Sequence, residues 1–87
     1  STTLGISLMY LGSLEVELAN PKEAKKCLEE AKPILEATMT SDHAYHGICL
    51  MLLGIANFYY KDVDTAIRQV KEAHAYLRRI ENKETSN

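Results

Sequence analysis

The stretch Leu50-Met51-Leu52-Leu53-Gly54-Ile55-Ala56-Asn57-Phe58-Tyr59-Tyr60 constrains this chain more than any other. It is too short to cross a bilayer, which takes about 20 apolar residues. It is also too apolar all round for a surface helix. A helix that is hydrophobic on nearly every side has to be covered on nearly every side. The stretch therefore reads as the inner helix of a stack of helices.

The flanking sequence supplies the other helices. Leu4, Leu8, Leu11, Leu14 and Leu18 recur at spacings of three and four over residues 4–19, with Ile6, Met9 and Val16 beside them, and predict a first helix with a broad apolar arc. Asn20-Pro21-Lys22-Glu23 then marks a boundary. Asn20 suits the N-cap, Pro21 the first helical position, and Glu23 can close a capping box. A second helix follows from Pro21 to about Thr38. Its inner face is Ala24, Cys27, Leu28, Ala31 and Leu35; its outer face is Lys22, Lys25, Lys26, Glu29, Lys32 and Glu36. Pro33 removes a backbone donor, so a bend or an early loosening is expected there.

Residues 38–42 form a connector, with Ser41 or Asp42 expected to cap a third helix over about His43 to Tyr60. Lys61-Asp62 makes a short turn, and Asp62 caps a fourth helix. That helix carries Val63, Ala66, Ile67, Val70, Ala73, Leu77 and Ile80 on one side and Arg68, Lys71, Glu72, Arg78 and Arg79 on the other. The polar tail 81–87 is expected to fray. No segment alternates like a strand, so the fold class is all-α.

Composition narrows the function classes. With 87 residues the chain is one domain at most, and a net charge of −2 gives no reason to expect nucleic acid or an acidic membrane as partner. Arg68, Lys71, Arg78 and Arg79 make only a modest basic stripe, interrupted by Glu72 and Glu81, where nucleic-acid binding needs a denser patch. Cys27 and Cys49 are the only cysteines, and both fall on apolar helical positions. They are expected as buried free thiols, which suits an intracellular protein, cytoplasmic or nuclear. Ser1-Thr2-Thr3 lacks the charged start and apolar region of a secretory signal. A start on Ser rather than Met is what a fragment or a processed chain shows.

Candidate chemistry is sparse. His43, His46 and Cys49 lie three apart with Asp42 adjacent, and zinc takes such ligands. Each step of three drifts around the helix, however, Cys49 faces the apolar side, and His74 stands alone. A capping Asp and two polar histidines explain them, so no metal and no cofactor are expected. No nucleophile elbow, phosphate loop or paired-carboxylate pattern occurs, and Glu29-Glu30 sits among lysines on an outer face. The chain is not expected to be an enzyme.

The sequence repeats itself. Laid over one another at an offset of 42 residues, segments 6–36 and 48–78 match at Ile6/Ile48, Leu8/Leu50, Met9/Met51, Leu11/Leu53, Gly12/Gly54, Ala24/Ala66, Glu30/Glu72, Ala31/Ala73 and Leu35/Leu77. Nearly all of these are apolar or small, as a shared packing geometry requires. A helix-interior Gly costs about 1 kcal/mol against Ala, so Gly12 and Gly54 are expected where two helices come closest.

These residues resemble the tetratricopeptide repeat. Its large residue, Leu-Gly, Ala, large residue and second Ala appear as Leu8, Leu11-Gly12, Ala24, Leu28, Ala31, and again as Leu50, Leu53-Gly54, Ala66, Val70, Ala73. Leu replaces the usual Trp, Glu15 and Asn57 stand where an aromatic is usual, and no Pro closes either copy. The usual period is about 34 residues. The longer one here, with Asp42-His43 eight residues before Leu50, resembles kinesin light chains. The helical domain of SET-and-MYND lysine methyltransferases shares this look.

The resemblance implies antiparallel helix pairs stacked as an α-solenoid, with repeat one at 4–38 and repeat two at 43–80. It also implies a scaffold or adaptor with a concave groove. By position that groove takes Met9, Ser13, Val16 and Glu17 from the first copy and Met51, Ile55, Phe58 and Tyr59 from the second. Repeats that grip an acidic peptide terminus carry Lys and Asn at such places. Met, Ser, Ile and Phe favour an amphipathic helix of a protein partner. The same positions also suit packing against further repeats or against a second copy in a homo-oligomer. The alternative function is a non-catalytic helical domain of a larger enzyme such as a SET/MYND-type lysine methyltransferase.

Overall fold

The computed structural model describes residues 1–39 and 43–86, residues 84–86 by their backbone alone. It is all-α: α1 is Thr2–Glu17, α2 Pro21–Thr38, α3 Ala44–Tyr59 and α4 Val63–Ser86, with no strand among the described residues. The boundary at Pro21 lies where its residues predict it. The expected capping box does not form, because Asn20 donates its backbone N–H to the Glu15 carbonyl (2.8 Å) and its side-chain amide to Glu15 Oε2 (3.3 Å). That leaves Glu23 no backbone donor to receive.

Ala19, at φ 58°, closes α1 in the left-handed conformation, and Lys61, at φ 78°, closes α3 in the same way. Asp62 N–H correspondingly bonds to the Asn57 carbonyl (2.9 Å), and Asp62 Oδ1 accepts from Thr65 N–H (3.3 Å) as the expected cap of α4. Ser41 and Asp42, expected as caps of α3, lie outside the described residues. The N-cap is His43, whose Nδ1 accepts from the Tyr45 N–H at 3.2 Å.

The second helix keeps its expected length, and the fourth is longer than expected. α2 continues across Pro33 to Thr38. Pro33 and Glu29, whose carbonyl loses its partner, are both on the exposed side, where water can take the missing donor's place. α4 runs on through Ser86, so residues 81–86 are helical rather than frayed. Ile80 is buried near that end, and the Arg, Glu and Lys around it are good helix formers.

Small residues set the pairing. A Cβ added to Gly5 would meet Leu35 at 3.0 Å, and one on Gly12 would meet Leu28 at 2.6 Å, so contacts descend α2 as they ascend α1. Gly47 faces Leu77 and Gly54 faces Val70, each at 2.6 Å, in the same descending order along α4. Every one of these contacts in the second pair lies 42 residues beyond its counterpart in the first. Gly5 and Gly47 thus add a second equivalent pair to Gly12 and Gly54.

The core is built around α2. Ala24, Leu28, Ala31 and Leu35 are buried together with Met9 of α1 and with Cys49, Leu53 and Ala56 of α3. Cys27, expected inside, is half-buried. Among the described residues α1–α2 and α3–α4 are the most extensive interfaces, α2–α3 is next, and the backbone of α4 comes close to α3 alone. The molecule is a slab with extents of 40 × 29 × 18 Å. Its thin dimension is about two helix diameters. α4 therefore buries Ala66, Ala73 and Ile80, whereas Val63, Ile67 and Val70, expected on the buried side, are exposed.

Candidate docking groove

An open concavity lies between α3 and α4, lined by no residue of α2. It encloses about 410 Å³ and is lined by Ile55, Phe58 and Tyr59 of α3 and by Ile67, Val70 and Lys71 of α4, over a floor of Gly54 and Ala66. The floor residues are small, which draws the helices together there, while the large side chains rise at the rims. Phe58 and Tyr59 meet edge to face, with ring centroids 5.7 Å apart. Phe58 is 58% and Ile67 49% exposed.

Three of the residues mapped from the sequence, Ile55, Phe58 and Tyr59, come together in this groove. Met51 is half-buried and off its lining. The first-copy positions belong elsewhere. Met9 is 2% exposed, because α3 lies over it, and it is a core residue rather than a contact for a partner. Val16 packs against that same core, Ser13 is half-buried and Glu17 is exposed. Ile67, Val70 and Lys71 were not among the mapped positions, and they form the opposite wall.

A smaller cavity of about 140 Å³ sits among α2, α3 and α4, bordered by Lys32, Glu36, His46, Cys49, Glu72 and Tyr76. Lys32 Nζ pairs with Glu36 Oε1 at 2.7 Å, and that hydrogen bond raises the lysine pKa. His46 Nε2 is buried without a hydrogen-bond partner. The Cys49 thiol donates to the Leu28 carbonyl at 3.7 Å, and burial pushes its pKa up to about 11. It stays protonated near neutral pH, which is the opposite of an activated nucleophile. Desolvation, then Glu15, raise the Cys27 pKa too.

The three zinc-type residues are separately engaged. His43 serves the α3 N-cap, His46 borders the cavity and Cys49 is in the core; Asp42 lies outside the described residues. No group of three side chains suited to a metal ion occurs among the described residues. None of the described helices is long and apolar enough to cross a membrane.

One polar pair escaped the sequence reading. Asn57 is 4% exposed, and its side-chain amide donates to Gln69 Oε1 at 2.7 Å, joining α3 to α4 beside the groove. An Asn inside an apolar inner helix signals that such a partner must exist, since buried polar groups are nearly always paired. Compared with known proteins, the chain matches no family model and no curated protein.

Proposed function

We propose that this chain is a helical-repeat scaffold of tetratricopeptide type. In this reading α1/α2 and α3/α4 are two antiparallel repeats, 4–38 and 43–80, stacked as a short α-solenoid, and the chain works by holding a helical segment of a protein. The observation that carries the reading is the open apolar groove between α3 and α4. Its counterpart between α1 and α2 is filled by a helix, α3, so a helix is the shape such a seam accepts. Hydrophobic walls with a single flanking lysine suit an amphipathic helix. The protonated thiols offer no nucleophile, and two free cysteines suit a reducing, intracellular setting.

The test is an NMR titration with a synthetic amphipathic helix of leucine and lysine. Saturable shifts centred on Ile55, Phe58, Tyr59, Ile67 and Val70 are expected. Phe58→Glu abolishes them with far-UV helicity unchanged. Shifts that survive Phe58→Glu, or that centre on other residues, overturn the assignment of the groove.

A further inference from the structure

The occupant of the groove can be read from the chain itself. At the 42-residue offset, Ala66, Ile67 and Val70 correspond to Ala24, Lys25 and Leu28 of α2. Those α2 residues are covered by α3: Cys49, Leu53 and Ala56 share a core with Ala24 and Leu28, and Lys25 Nζ stands 4.1 Å over the Tyr60 ring. Stepping back from α3 by the same offset reaches Ser7, Leu11, Leu14 and Leu18 at the other end of the molecule. Leu11, Leu14 and Leu18 are left open, at 47%, 59% and 66% exposure. One end therefore presents the face that fills such a seam, and the other presents the unfilled seam. Resting on the repeat reading above, we infer that α1 of one copy docks in the α3/α4 groove of the next, head to tail.

The differences between the two repeats are matched across that seam. The Lys25–Tyr60 cation–π contact becomes Ile67 against Leu18, which leaves no charge to desolvate. Ala56, in the core with Leu28, becomes Leu14 facing the smaller Val70, so a larger plug meets a wider slot. Cys49, whose thiol donates to the Leu28 carbonyl, becomes Ser7, whose hydroxyl is already satisfied by the Leu4 carbonyl of its own helix (2.9 Å) and so brings no unpaired donor into the seam. A dimer closing groove on groove covers Phe58 and Ile67 but leaves the α1 leucines in water. The head-to-tail contact covers both faces, and because it joins unlike surfaces it does not close at two copies.

Sedimentation velocity of the full chain, with Leu14→Asp as a plug variant and Ile67→Asp as a socket variant, decides the matter. Both positions are exposed, and Leu18→Asp, at the non-helical end of α1, repeats the plug test independently of helix stability. The wild type should grow past the dimer as concentration rises through the micromolar range, and each variant alone should remain a monomer. An equimolar mixture of the two should form a one-to-one dimer of doubled mass and go no further, because each supplies the face the other lacks. A monomeric wild type, a dimer that persists in Leu14→Asp, or a mixture that stays monomeric overturns head-to-tail docking. A monomeric wild type that still binds the synthetic amphipathic helix at Phe58 overturns the docking of copies and leaves the scaffold reading standing.

Discussion

Val70 Cγ2 occupies the place that a Cβ on Gly54 would need, 2.6 Å away, and the Ala66 carbonyl and Val70 amide close the same space at 3.1 and 3.2 Å. At Gly12 the three nearest atoms all belong to the buried Leu28 side chain, its Cγ at 2.6 Å. A buried side chain can shift only at some cost to its packing, but a helix backbone has to move bodily.

Gly54→Ala should therefore destabilise the chain despite its gain in helix propensity. Overpacking costs about 1–3 kcal/mol and the propensity gain returns about 1 kcal/mol. The expected net loss is about 1 kcal/mol, with a smaller loss for Gly12→Ala, where no backbone atom is among the nearest three. Urea denaturation midpoints of the two variants at constant m-value measure the difference.

Gln69→Ala removes the acceptor of the Asn57 side-chain amide and leaves that buried donor without it. A loss of about 1–3 kcal/mol is expected. Adding Asn57→Ala to that background should cost much less than it does in the wild type, a non-additivity that a thermal-unfolding double-mutant cycle detects.

In the native protein at mildly alkaline pH, iodoacetamide should label half-buried Cys27 slowly and Cys49 only on unfolding. The same burial makes stability depend on pH. Cys49 titrates near 11 when folded against 9.0 unperturbed, so between those values the unfolded chain holds fewer protons and stability falls as pH rises. Melting temperatures of wild type and Cys49→Ala should thus converge as pH climbs from 9 to 11. Parallel curves would show that the thiol contributes nothing.

Ala19 and Lys61 sit at positive φ without being glycine. Lys61→Gly should stabilise by about 0.5–1 kcal/mol, since left-handed geometry costs a residue with a Cβ about 1–2 kcal/mol and glycine gives back part of that in unfolded-chain entropy. Lys61 is exposed, so no packing is lost. A raised melting temperature checks it.

What could be read without coordinates was whatever a helix decides for itself. Period and small residues located the helices, the boundary at Pro21 and the close contacts at Gly12 and Gly54. Half of the groove was legible as well, through Ile55, Phe58 and Tyr59. Errors arose where a neighbour decides. Met9 carries the same apolar signal as Met51, and only the presence of α3 above it makes it core. Ile67 and Val70 read as interior because their spacing is that of a buried face, yet spacing does not report whether anything lies beyond. The capping box failed for a local reason that composition hides: the Asn20 N–H was already committed five residues back, to Glu15.

α4 leans on a single neighbour, while α2 is held from two sides. The amides of α4 should accordingly exchange with deuterium sooner than those of α2. Whatever settles into the groove acts as a splint, lengthening the protection of α4 and leaving that of α2 unchanged. Occupancy at the open end is thereby recorded as the lifetime of the last helix.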